Sequence, residues 1–174
     1  MLTEAQTALL AETLQVSLRH AAASSDDAGW SRSLTDAGAA LPTVDNAHRP
    51  RPHAALPALG SSTEQALVVA EADTAAAMGH PDTSVDVLGS PRLALWFEIV
   101  ASGLLPAPTA ALTHVGAGVV VHHLAPARID EEVTVQATAE SVAGRRVVFS
   151  CTATVGARCV ALGVHHRVVL EREG

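Results

Sequence analysis

Apolar positions follow three different rhythms along the chain. Near the N-terminus Leu10, Leu14 and Leu18 recur every four residues, and Leu9 and Val16 widen the stripe. This spacing predicts an amphipathic helix over residues 3 to about 22, opened by Thr3-Glu-Ala-Gln6, which has the form of a capping box. Ser24 to Gly29 interrupts it, and a second, weaker helix is expected from Trp30 to about Ala40. The second rhythm runs from Leu93 to Leu105, where apolar side chains occupy every face and Glu98 is the only charge, as in a buried helix. Ser90 suits its N-cap and Pro91 its first helical position, while Gly103, Pro106 and Pro108 mark its end. The third rhythm has a period of two. Val133, Val135, Ala137 and Ala139 share one face of Glu132–Ser141, and Val147, Phe149, Cys151 and Ala153 share one face of Arg145–Val155. Leu112–Leu124 and Arg158–Leu170 complete four strand-like runs, and Thr63–Glu71 supplies another before the helix.

The turns Ala143-Gly144 and Gly156-Ala157 are short enough for antiparallel hairpins. The expected order is therefore a strand, one long apolar helix, and a four-stranded antiparallel meander. No helices alternate with the strands, so a parallel doubly wound sheet is excluded. An α+β hotdog fold, one antiparallel sheet wrapped around one buried helix, meets the pattern economically. Residues 1–41 read as an N-terminal helical extension and 42–62 as an irregular linker holding four of the nine prolines. Residues 63–174 read as the hotdog domain.

Composition narrows the function classes. Net charge is −7 with a pI near 5.6, which argues against a nucleic-acid partner. There are two Trp, two Phe and no Tyr, so little aromatic surface is available for stacking bases. All eleven basic residues are Arg, scattered along the chain; Arg92, Arg128 and Arg145 are candidates for gripping phosphates on a small ligand. Cys151 and Cys159 form no Cys-x-x-Cys pattern and read as small strand residues. No apolar run is long enough to span a membrane, and no basic n-region precedes an apolar stretch at the N-terminus, so a cytoplasmic location is expected. His48 and His53 in the linker, and the pairs His122-His123 and His165-His166, lack the carboxylate spacing of a metal site, and no metal is expected.

Four pieces of residues 63–170 resemble the fluoroacetyl-CoA thioesterase-like family of hotdog proteins. They are Thr74-Ala-Ala-Ala-Met-Gly79 with Val87-Leu-Gly-Ser-Pro91 and Glu98; Gly116-Ala-Gly-Val-Val-Val-His-His-Leu-Ala-Pro126; Gly144-Arg-Arg146; and Gly163-Val-His-His-Arg167. The resemblance implies an acyl-CoA thioesterase that releases a free acid and CoA, with no cofactor beyond the CoA of its substrate. It also implies a homodimer or higher homo-oligomer, because hotdog sites generally form between protomers; the thioester carrier is CoA or an acyl carrier protein. Carried over by position, the catalytic set is Ser90, Glu98 and His123, with Gly116 supplying a backbone N–H near the thioester oxygen and Gly89 at the helix start as a second substrate contact. The family usually has Thr where this chain has Ser90, which keeps the hydroxyl but loses the methyl that restricts its rotamer. Selectivity for a fluorinated acyl group is not implied by these motifs.

The chemistry of such a set is clear in outline. Burial should raise the pKa of a mid-helix carboxylate and make it a useful base. Glu98 can then deprotonate water or attack the carbonyl itself, and His123 can stabilise the oxyanion or tune Glu98. Eight helical residues separate Ser90 from Glu98 by about 12 Å, too far for a direct hydrogen bond. His122 and His123 face opposite sides of a strand, and the resemblance selects His123 as the inward one. The same alternation applies to His165 and His166, of which His165 is expected to face inward in a supporting role; His114 has no assigned role. The alternative reading is a non-catalytic hotdog protein that binds an acyl ligand or a partner, its pocket reshaped by the N-terminal helices.

Overall fold

A computed structural model describes residues 2–23, 56–79 and 86–171. Its elements in chain order are α1 (Glu4–Ala23), β1 (Ser62–Val68), α2 (Ser90–Ser102), β2 (Leu112–His123), β3 (Glu132–Ala143), β4 (Arg146–Val155) and β5 (Arg158–Glu171). The capping box at Thr3 is formed: its hydroxyl accepts from the Gln6 N–H at 3.2 Å, and Gln6 Oε1 accepts from the Thr3 N–H at 2.9 Å. The expected second helix at 30–40 and most of the 42–62 linker lie outside the described residues.

The five strands form one antiparallel sheet in the order β1-β3-β4-β5-β2. The four-strand meander expected from sequence is thus only partly realised. β3, β4 and β5 follow one another through tight turns whose Gly144 and Gly156 take positive φ, a conformation that costs glycine little. β2 does not join β3. The connection from Leu124 to Glu131 is too long for a tight hairpin. β2 pairs instead with β5, and β1 takes the free edge of β3.

α2 lies across the concave face of this sheet. The side chains expected to face it do so: Val133, Val135, Ala137, Ala139, Phe149, Cys151 and Ala153 are fully buried and join Leu93, Trp96, Phe97 and Val100 in the core. The approach is close. A Cβ on Gly163 would stand 2.9 Å from Phe97 Cε2, so only glycine admits the ring there. The convex face is covered as well. α1 packs on β5 and β4, above Leu162 and Val164, which are fully buried although they alternate with the residues that face α2.

Two expectations for α2 change. Its N-cap is Gly89, so Ser90 is the first helical residue and Pro91 the second. Nor is the helix buried all round: Leu95 is 40% and Ile99 45% exposed. One face of α2 is open, and Glu98 lies beside it.

Candidate active site

Glu98 sits where α2, β2 and β5 meet. Its side chain is 44% exposed and pairs with Arg167, whose Nη1 donates to Oε1 at 2.9 Å. The expectation of a buried carboxylate is therefore replaced by a half-open one, and its partner is a cation. No described residue donates to Oε2, which leaves it free to meet water or a substrate carbonyl. Gly116 on β2 lies directly beside the carboxylate: a Cβ there would stand 3.2 Å from Oε1 and 3.5 Å from His165 Cε1. The register explains this proximity, because Gly116 is paired with Arg167 across the β2–β5 ladder. A bulge between Gly116 and Gly118 brings the edge strand past the site.

Arg167 is the deepest charge in the cluster, with a side chain only 5% exposed. Burying a guanidinium is costly unless its N–H groups find acceptors. Three are supplied: Glu98 Oε1, His165 Nε2 at 3.2 Å and His114 Nδ1 at 2.8 Å. Arg167 Nε remains buried without a partner. Desolvation pushes the pKa of His165 down to about 4, and the neighbouring Arg167 adds to the effect, while Glu98 and the Gly118 backbone oppose it. His114 is lowered for the same two reasons, desolvation first and Arg167 second. Both imidazoles are consequently neutral near pH 7.

The other residues singled out from sequence lie apart from this cluster within one chain. His123 is paired with Ala161, a core residue, and so faces the α2 side, the member of its pair that the resemblance selected. Its neighbour His122 turns to the convex face, where its Nε2 lies 3.0 Å from Thr13 Oγ1 on α1. Thr13 already donates to the Leu9 carbonyl, so His122 is the donor in this contact. Desolvation lowers the pKa of His123. Yet His123 is seven residues from Gly116 along β2, roughly 20 Å at about 3.3 Å per residue, and among the described residues no hydrogen bond joins it or Ser90 to Glu98. Ser90 is exposed at the start of α2, one helical stretch from Glu98. Gly89 is buried, and its N–H is taken by the Asp73 carbonyl at 2.9 Å. A Cβ on Gly89 would stand 2.9 Å from Met78 Sδ, so close packing explains the glycine. The adjacent Arg92 anchors this entry through Asp73, Nε to Oδ1 at 2.6 Å.

Sequence reasoning anticipated His165 as the inward, supporting histidine, and it is 2% exposed. It missed Arg167 as the partner of Glu98 and His114 as a partner of Arg167. The signal for Arg167 was present: two residues beyond an inward histidine, it had to share that face. His114 carried no such signal, because its role depends on the β2–β5 register.

Comparison with known proteins agrees with the architecture. Residues 69–173 match the FlK family, described as fluoroacetyl-CoA-specific thioesterase. A variant of the fluoroacetyl-CoA-specific thioesterase FlK, solved in complex with fluoroacetate and CoA, superposes with a TM-score of 0.59 at 23% identity, over 64% of this chain and 94% of that one. A hot-dog-like protein from Thermanaerovibrio acidaminovorans gives a TM-score of 0.61 at 26% identity, over 66% and 84% of the two chains. A thioesterase superfamily member from Thermus thermophilus gives 0.59 at 21% identity, over 65% and 83%. No significant match is found among curated proteins. Among the described residues no helix is long and apolar enough to cross a membrane.

Proposed function

This chain belongs to the FlK family of thioester hydrolases, and from that premise we propose that it hydrolyses an acyl-CoA to free acid and CoA at a site built around Glu98. The observation that carries the reading is the half-open Glu98 carboxylate beside Gly116, one oxygen held by Arg167 and the other unclaimed. In this reading Oε2 activates water or attacks the thioester carbonyl, and the Gly116 backbone lies alongside the carbonyl oxygen. On the first route, collapse of the water adduct expels the CoA thiolate and gives the free acid directly; on the second, loss of the thiolate leaves an anhydride on Glu98, which water then hydrolyses to release the acid and restore the carboxylate. Ser90 and His123 belong to the same site in the assembled protein, where His123 stabilises the developing charge.

The functional unit in this reading is a homodimer. β2 is a sheet edge, and along it Val115, Val119 and Val120 are about two-fifths exposed. An exposed apolar edge of this length is an aggregation hazard unless it is covered. If two β2 edges pair antiparallel about a two-fold axis near Val119 and Val120, the residue opposite Gly116 is the partner's His123. The separation of roughly 20 Å within one chain then becomes a separation of about one strand spacing, 4.8 Å, between chains. Leu95 and Ile99, on the open face of α2 beside Glu98, would line the same seam.

Thiol release from a series of acyl-CoAs tests the proposal, with Glu98→Gln as control. The amide keeps the shape and the acceptor for Arg167 but can neither take a proton nor attack, so turnover should fall by at least about a hundredfold with the fold intact. Unchanged hydrolysis in the variant would remove Glu98 from the mechanism. Ligand binding with no hydrolysis by the wild type would favour a non-catalytic acyl-binding protein.

A further inference from the structure

Arg167 makes its hydrogen bonds to an unusual set of acceptors. A guanidinium has no lone pair and can only donate. The two imidazole nitrogens it meets, His165 Nε2 at 3.2 Å and His114 Nδ1 at 2.8 Å, must therefore both be the unprotonated nitrogens of their rings. His165 then carries its proton on Nδ1 and His114 on Nε2. Geometry alone sets both tautomers, and they are opposite. The two rings reach Arg167 from different strands, His165 along β5 and His114 from the edge strand β2. They occupy N–H groups on both terminal nitrogens, while the remaining bond runs from Nη1 to Glu98.

We propose that His114 and His165 are positioning residues that lock the plane of the Arg167 guanidinium, so that Nη1 holds Glu98 Oε1 beside Gly116 and leaves Oε2 directed at substrate. The proposal rests on Glu98 being the working group of the thioesterase. A lone arginine at the end of a flexible stem can meet a carboxylate in many geometries. One whose fork is fixed on both arms can meet it in one, and the loss of freedom is taken up in folding rather than at each turnover.

The arrangement holds only while both imidazoles remain neutral. Protonating either ring at its acceptor nitrogen would set an N–H and a positive charge against the guanidinium. The charged groups facing the two rings are Arg167 and, through it, Glu98 from α2, with His166 a further titratable neighbour of His165 along β5. β4 presents only Val147 opposite Arg167 and Phe149 opposite His165, neither of which titrates. His114 is the more exposed ring, so acid reaches it first and frees Nη2 of Arg167. Activity should accordingly decline on the acid side through the titration of His114.

Two measurements decide the matter. The first is the acyl-CoA hydrolysis profile across pH for the wild type, His114→Ala and His114→Asn. The Oδ1 of Asn falls close to the place of Nδ1 and accepts a hydrogen bond without titrating. His114→Ala should lower kcat/KM about tenfold, mostly through kcat, as expected when a reacting group is displaced by less than an ångström. His114→Asn should restore the rate to within about threefold and move the acid limb to lower pH. The second is nitrogen-15 NMR of the imidazoles in the wild type near neutral pH, which should find His114 protonated on Nε2 and His165 on Nδ1. The opposite tautomer at either ring would overturn the proposal, as would a His114→Ala variant with the rate and acid limb of the wild type. A wild type that cleaves no thioester would refute the enzymatic reading, whereas the tautomers report on the cradle independently of it.

Discussion

Gly163 is the position where one added methyl should do the most damage. A Cβ there would stand 2.1 Å from the Val120 carbonyl oxygen and 2.9 Å from Phe97 Cε2. Neither neighbour can yield cheaply. The first is backbone in the β2–β5 ladder, and the second is a fully buried ring of α2. Restoring ordinary van der Waals separation requires β2 to move from β5 by more than about 1 Å, enough to break the two or so ladder hydrogen bonds nearest Val120, at about 1 kcal/mol each. Displacing Phe97 adds about 1–3 kcal/mol of overpacking. Against this, alanine lowers the entropy of the unfolded chain, which returns about 0.4–1 kcal/mol. The net expectation for Gly163→Ala is a loss of about 2–4 kcal/mol, or a fall in Tm of roughly 8–17 °C for a domain of this size. Because β2 carries Gly116 and His123, activity should fall below the melting temperature too. Calorimetric melting of wild type and variant is the assay. A variant that melts within about 3 °C of the wild type would show that β2 and β5 are not held this closely, and the placement of Gly116 against Glu98 would lose its basis.

The same reasoning with the opposite balance applies to Gly116→Ala, whose Cβ meets the end of a half-exposed carboxylate at 3.2 Å instead of backbone. Glu98 can move by a few tenths of an ångström, so Tm should change by less than about 5 °C while kcat/KM drops about tenfold or more; equal rates would argue that Glu98 is not used in its observed position. If His123 acts across the dimer, mixing Glu98→Gln with His123→Ala under conditions that allow subunit exchange should regenerate activity absent from either variant alone, and mixed dimers without activity would refute the shared site. The low pKa of His165 has a stability consequence with a definite sign. The folded state resists protonation down to about pH 4, whereas the unfolded chain takes up the proton from about pH 6.5, so this histidine's contribution is complete above pH 6.5 and is lost as pH falls toward 4. The loss amounts to about 3 kcal/mol, and denaturant unfolding of wild type and His165→Gln across that interval should converge by that order as pH falls; parallel curves would refute the assignment.

The local rhythms of the chain carried most of the architecture. Period-two alternation in β3 and β4 identified the side chains that end up fully buried against α2, and the Ala143-Gly144 and Gly156-Ala157 turns identified the β3–β4–β5 succession. Alternation also required that only one member of each His-His pair face inward, because neighbours on a strand cannot share a side; the choice of His123 came from the family resemblance. The identity of Glu98 as the odd charge in an apolar helix was equally a matter of reading positions in order. What such reading could not supply was anything that depended on which strand lies beside which. Only the tertiary structure moved β2 to the far edge of the sheet beside β5, set Gly116 opposite Arg167, and so brought His114, Glu98, His165 and Arg167 into one cluster although 69 residues separate the ion pair. It likewise decided that Glu98 is half open and paired, where its helical neighbours alone suggested burial. The division has a simple physical cause. Periodicity records the geometry of one element against one generic apolar surface, whereas register and edge placement follow from packing both faces of the sheet at once, one under α2 and the other under α1.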